Sequence, residues 1–145
     1  MKRFCLAILF VVAFLFSASV RFQLLANTTV QEHQSKHGFG FKQYDEFHDV
    51  LHPLQHEALP NRDFKTIRTK SALLIQRGRA VVKLGTPTKI SAENRAEFVT
   101  ELKKFSQALT KLRNDAKRGS DSQLEASYSA VHDSFEMLTA LLPRT

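Results

Sequence analysis

The sequence has very little cysteine. Its 145 residues include one, Cys5, and they include no tryptophan. Cys5 lies in an N-terminal segment that we expect to be removed, so the mature chain has no thiol. Such a chain can form no disulfide, no thiolate metal site and no Cys-x-x-Cys-His haem attachment. Any metal or prosthetic group must therefore be held by nitrogen, oxygen or thioether ligands.

The apolar run near the N terminus is too short to span a bilayer. Lys2 and Arg3 precede uncharged apolar residues at 4–16, and small residues follow at 17–19. A membrane-spanning helix needs ~20 apolar residues, whereas this arrangement is typical of a secretory signal peptide. We therefore predict a cleaved signal peptide at 1–26, a flexible leader at 27–41, and a periplasmic or secreted protein. No stable membrane insertion is expected after cleavage.

The excess of basic over acidic residues is modest once this segment is removed. Without Lys2, Arg3 and Arg21, 18 basic residues remain against 14 acidic ones, a net charge of +4 where the full chain has +7. This excess is spread along the chain and is not concentrated in one run. We therefore expect no nucleic-acid partner.

No stretch alternates apolar and polar residues with the period of a strand, so the sequence predicts an all-α domain at 42–145. The first two predicted helices cover 42–58 and 63–84; the third begins at Ser91 and is closed by Gly119; the fourth begins at Ser120 and ends at Pro143. Short connections between helices of this length predict an antiparallel up-down-up-down four-helix bundle. Pro53 predicts a kink or break in the first helix.

Apolar residues in the last two helices recur at intervals of four and three, which places them on one buried stripe. In the third helix the stripe is Phe98, Leu102, Phe105, Leu109, Leu112 and Ala116; in the fourth it is Leu124, Tyr128, Val131, Phe135, Leu138 and Leu142. Ser120 and Gln123 have the spacing of a capping box. These stripes are interpreted as core.

The histidines give the most specific chemical signal. His48, His52 and His56 are spaced i, i+4 and i+8, which places three of the chain's six histidines on one stripe of the first helix. His132 lies about twelve residues, or ~18 Å, into the fourth helix, which should be level with His48 in an antiparallel bundle. Converging imidazoles at such a seam are how helix bundles build metal and haem sites. The nearby carboxylates of Asp45, Asp49, Asp133 and Glu136 could orient or complete such a site. The alternative is four solvated histidines at the edge of the core.

The helix spacing, with His52 and Pro53 in the first helix and His132 in the last, resembles exported four-helix bundles of the cytochrome c′ type and their haem-less periplasmic relatives. That resemblance implies the bundle fold and an exported location. Cytochromes c′ attach haem through Cys-x-x-Cys-His in the last helix, and here the region has His132 without cysteines. The resemblance therefore does not imply covalent haem.

Three functions of different classes follow from these observations. The first is a bundle that binds copper, zinc or nickel through His48, His52, His56 and His132, because thiol-free imidazole sites suit these ions. The second is a bundle that binds haem b through two histidines and transfers electrons. The third is a ligand-free interaction or stress-response bundle. No catalytic motif is present, so we expect no enzyme, and the sequence leaves a homodimer open.

Overall fold

A computed structural model describes residues 38–143 of the chain. In this range the elements are α1 (Lys42–Pro53), a π-helix (Leu54–Ala58), α2 (Phe64–Leu84), α3 (Arg95–Arg118) and α4 (Asp121–Ala140). No strand occurs within this range, which confirms the all-α prediction. The predicted signal peptide and residues 27–37 of the predicted leader lie outside the described residues. Across residues 38–143, no helix combines the length and apolar character needed to cross a membrane.

Consecutive helices pack against each other: α1 against α2, α2 against α3, and α3 against α4. This contact pattern is consistent with an up-down bundle. The core between them contains every predicted stripe residue of α4, and α3 contributes four fully buried side chains. Those four are Phe98, Phe105, Leu109 and Leu112, while Leu102 and Ala116 are partly buried against the core. The apolar spacing therefore identified the buried faces.

Helices α1 and α4 meet through large side chains. The ring of Phe47 on α1 lies 4.6 Å from the ring of Phe135 on α4, measured between centroids. Below this contact, the hydroxyl of Tyr128 donates a hydrogen bond to the carbonyl of Leu51 across 3.1 Å. These two contacts fix the α1 residues around His48 and His52 against α4. They position the candidate site.

The predicted break at Pro53 is a change of helix type. Proline has no N–H, so Pro53 cannot donate to the carbonyl of Asp49 one turn earlier. Beyond it the backbone forms a five-residue π-helix, in which the N–H of Leu59 reaches the carbonyl of Leu54. The chain therefore remains helical beyond Pro53, and His56 lies in the π-helix.

The predicted start of the third helix was wrong by four residues. The helix begins at Arg95, because the hydroxyl of Ser91 accepts from the N–H of Asn94 and closes a separate turn. Ile90 is buried just before this turn, and the Arg95 guanidinium donates to its carbonyl. The side chain of Ile90 thus anchors the connection to the core, which a cap pattern alone does not reveal.

The connection between α3 and α4 forms as the sequence predicts. Both hydrogen bonds of the capping box between Ser120 and Gln123 are present. Gly119 closes α3, but its backbone is extended, with φ −76°. Glycine is needed there because a Cβ would lie 2.9 Å from Asp115. The guanidinium of Arg68, from α2, donates to the carbonyls of Asp115, Ala116 and Gly119 and so caps the end of α3.

Candidate functional site

The four histidines of the described region line one cleft. His48 and His52 come from α1, His56 from the π-helix, and His132 from α4 on the facing wall. The cleft has a volume of about 150 Å³. The sequence predicted that the stripe and His132 would lie near each other, and the structure places all four side chains along the same depression.

The three histidines of the stripe are ring-to-ring neighbours. The centroids of His48 and His52 are 5.3 Å apart, and those of His52 and His56 are 4.4 Å apart. Two imidazoles that share a metal ion at ordinary metal–nitrogen distances have ring centroids roughly 4.5–5.2 Å apart. The observed separations lie on either side of that range. The centroid separations are thus close to those of two imidazoles that share an ion.

His48 forms the inner end of the stripe. Its ring is half-buried beneath the edge of Phe39, with the two centroids 5.4 Å apart, and it lies 6.5 Å from Phe135. In contrast, His52 and His56 are exposed. The cleft therefore has an enclosed aromatic end and an open end where two imidazoles face solvent.

The surroundings of His48 favour its neutral form. Burial lowers the pKa of its imidazole below the usual value, and the neighbouring rings of His52 and His56 lower it further. The carboxylates of Asp49 and Asp45 act in the opposite direction but do not cancel these effects. A neutral imidazole has a free nitrogen lone pair, which is the form that binds a metal ion.

His132 lies between two carboxylates of its own helix. Its Nδ1 is 3.2 Å from an oxygen of Asp133, and its Nε2 is 3.4 Å from an oxygen of Glu136. A carboxylate that accepts from one imidazole nitrogen fixes the ring and makes the other nitrogen a better ligand. The sequence predicted that Asp133 and Glu136 could orient or complete the site, and the structure places both carboxylates beside the ring of His132.

Three further residues of the cleft carried no signal in the sequence. Phe39, which the sequence placed in the leader, packs against the core, and its backbone N–H donates to Asp45 across 2.7 Å. Thr139 and Gln55 complete the lining. The side-chain oxygen of Gln55 is buried and has no hydrogen-bond partner in residues 38–143. It leaves an unused acceptor beside the imidazoles.

The metal-ligating side chains come together as pairs. Nowhere in the described part of the chain do three or more His, Cys, Asp or Glu side chains form a group that could hold a metal ion. The structure thus brings His48, His52, His56 and His132 to one cleft but leaves His132 beside its own carboxylates. Any ion held by two adjacent imidazoles would have open coordination positions.

A larger cavity, of about 680 Å³, lies between α1, the π-helix and α2. Its lining includes Val50, Leu54 and Leu73 together with the carboxylates of Asp49 and Glu57, and no histidine. Its size would suit an organic ligand. The chemistry singled out by the sequence is concentrated in the smaller cleft, so the candidate site is placed there.

No protein-family model, curated protein or solved structure matches the chain. The resemblance to bundles of the cytochrome c′ type is therefore supported by the four-helix architecture alone. The function has to be argued from the cleft.

Proposed function

We propose that the protein is an exported, histidine-based divalent-metal-binding bundle that buffers, carries or senses copper, zinc or nickel. The observation that carries the proposal is the shared location of His48, His52, His56 and His132. Four histidines separated by up to 84 positions in sequence line one cleft of about 150 Å³. Histidines distributed at random over the helix surfaces would not be expected to line the same cleft.

The chemistry of the cleft suits borderline divalent ions. Imidazole nitrogen is a good ligand for copper, zinc and nickel, and the mature chain proposed here has no thiolate to compete. The half-buried His48 is held neutral by its surroundings. Glu136 and Asp133 can orient His132, and the unpaired oxygen of Gln55 can accept from a ligating imidazole whose other nitrogen carries a proton.

Within the cleft, His52 and His56 are proposed as the main ligand pair. Their rings are the closest of the stripe, at 4.4 Å between centroids, and both are accessible to an ion from solvent. His48 borders the pair from the enclosed end. His132 can join from the opposite wall if its ring turns away from Glu136.

The proposal includes export and the finer architecture. The charged start and short apolar run at 1–26 support a cleaved signal peptide and a periplasmic or secreted location. Sequential packing of the four helices supports the antiparallel up-down-up-down arrangement. Nothing in the cleft supplies a catalytic group arrangement, and an enzyme is not proposed.

Haem binding by two histidines is supported less well than metal binding. Pockets for drug-sized ligands occupy roughly 300–1,000 Å³, and the cleft holds about 150 Å³. Phe39 and Phe135 fill the space beside His48 where a porphyrin edge would need to enter. If no metal binds, the remaining alternative is a ligand-free interaction or stress-response bundle.

The proposal can be tested by calorimetric titration of the purified mature protein, without a polyhistidine tag, with Cu(II), Zn(II) and Ni(II). We expect at least one ion to bind with a Kd of roughly 10 µM or tighter, equivalent to about −6.8 kcal/mol. Affinity should fall as the pH drops through about 6.5, because protonated imidazole cannot ligate. The double variant His52→Ala/His56→Ala should lose this binding.

A matched control is available in the sequence. His33 and His37 are also spaced i, i+4, but they lie outside the described residues. The double variant His33→Ala/His37→Ala removes the same number of imidazoles and should bind as the wild type does. Wild-type protein that binds no ion more tightly than tens of micromolar, or loss of binding in the control variant alone, would contradict the proposal. A Soret band after haem addition would favour the cytochrome alternative.

A further inference from the structure

The His52–His56 pair has fewer ligands than the ions it suits. Zinc in stable protein sites is nearly always bound by four ligands in a tetrahedron. The pair supplies two imidazoles with centroids 4.4 Å apart. In the described part of the chain, no third ligand is placed with them. Half of the coordination sphere is therefore missing.

The other cleft histidines are poorly placed to fill these positions. His48 is held under the edge of Phe39 and beside Phe135, so its ring is packed on the enclosed side. His132 is occupied by the carboxylates of Asp133 and Glu136, 3.2 and 3.4 Å from its two nitrogens. The open coordination positions of an ion on the pair consequently face solvent.

We propose that a second copy of this chain supplies the missing ligands, so that one zinc ion joins two chains through His52 and His56 of each. This inference rests on the proposed metal-binding function. A two-fold axis through the ion presents the same two residues from both chains, which is the commonest form of homodimer contact. The result is a tetrahedral site of four imidazoles, a stoichiometry of one ion per two chains, and a dimer that depends on the metal.

The surroundings of the pair are compatible with such a bridge. Both histidines are exposed, so their nitrogens can be approached without unfolding the helix. Because the ion supplies the contact, no large interface is required.

Sedimentation velocity of the mature protein with zinc sulfate at pH 7.5 tests the inference. In EDTA we expect a monomer. With half an equivalent of zinc per chain the mass should double, and EDTA should reverse the change. A large excess of zinc should return the protein to monomers, since each chain can then bind its own ion. This rise and fall is specific to an ion shared between two chains.

Two variants locate the bridge. His52→Ala/His56→Ala should remain monomeric at every zinc concentration, and His33→Ala/His37→Ala should still form the dimer. His52 and His56 are exposed, and thermal melts followed by circular dichroism confirm that each variant is folded.

The possible outcomes distinguish failure of the zinc-bridged dimer from failure of the proposed metal binding. A monomeric complex of one zinc per chain would overturn the dimer while leaving metal binding intact. Absence of zinc, copper and nickel binding in calorimetry would overturn both. A dimer that is present in EDTA and unaffected by zinc, or that persists in the double variant, would overturn the bridge through this pair.

Discussion

The two tyrosines of the chain provide a matched test of the packing between α1 and α4. Tyr44 and Tyr128 are both fully buried, and burial raises the pKa of both phenols above the usual value. Their hydroxyls differ in one respect. Tyr128 donates to the carbonyl of Leu51 at 3.1 Å, whereas the Tyr44 hydroxyl has no hydrogen-bond partner among residues 38–143. Replacing each tyrosine by phenylalanine removes the same atom from these two different environments.

The expected effects have opposite signs. A hydrogen bond contributes about 0.5–1.5 kcal/mol to the free energy of unfolding, so Tyr128→Phe should lower it by about 1 kcal/mol. A buried polar group without a partner costs about 1–3 kcal/mol, so Tyr44→Phe should raise the free energy of unfolding by about 1 kcal/mol. The two variants should therefore differ by about 2 kcal/mol, although the substitution is the same.

Urea denaturation followed by circular dichroism at the helix band measures both values. The dependence of the unfolding free energy on urea concentration should be unchanged, since neither variant alters the surface exposed on unfolding. Equal destabilisation by the two substitutions would contradict the predicted difference between the two hydroxyls. So would a larger loss in Tyr44→Phe than in Tyr128→Phe, since Tyr44 would then have a partner that the packing does not show.

Three further predictions concern the core, the α3–α4 connection and the cleft. Gly78→Ala should lower the free energy of unfolding by about 1–2 kcal/mol, because overpacking against the Leu109 methyls, 2.7 Å from the new Cβ, exceeds the gain in helix propensity. Arg68→Ala should lower it by about 2–3 kcal/mol by removing the cap of α3, whereas loss of the exposed Lys111 ion pair should cost less than about 1 kcal/mol. The pKa of His48 is lowered in the folded protein, so the unfolded chain takes up the proton first. Stability in EDTA should therefore fall as pH decreases through about 6.5 towards the lower folded-state pKa.

Each of these has a control on the same element. Gln76→Ala, at an exposed position of α2, should be close to neutral, and a Gly78→Ala protein as stable as wild type would mean that α2 and α3 are further apart than described. Arg68→Lys should recover little of the loss, because an ammonium cannot form the forked contacts. His48→Gln should flatten the pH dependence of stability between about pH 7 and 5. An unchanged slope would show that His48 is not the group responsible.

The fold was largely predictable because its core follows a regular pattern. The spacing of four and three residues in the last helical segment predicted six core positions from Leu124 to Leu142, and all six are buried, together with Ser127 and Ser134. The capping box at Ser120 is a local interaction, and it formed as predicted. The start of α3 was misplaced because Ser91 closes a separate turn through Asn94 and does not begin the helix. The effect of Pro53 was anticipated as a break, but the choice of a π-helix depends on how the following residues pack.

The location of the candidate site was predictable and its ligand geometry was not. Helical spacing alone places His48, His52 and His56 on one stripe, and counting residues along antiparallel helices brings His132 to the same level. Spacing placed Asp133 and Glu136 near His132, but it does not determine which imidazole nitrogen faces which carboxylate. The buried oxygen of Gln55 was missed, because helical spacing does not show which hydrogen-bond partners a side chain finds in the folded protein.

Histidine side-chain NMR during a zinc titration shows at each residue whether the imidazoles of the cleft bind a divalent metal ion. Each imidazole has its own resonances, and single histidine variants assign them among the six residues. We expect the resonances of His52 and His56 to change together and to saturate at or below one zinc per chain. Saturable changes confined to His33 and His37, or no change at any imidazole, would contradict it.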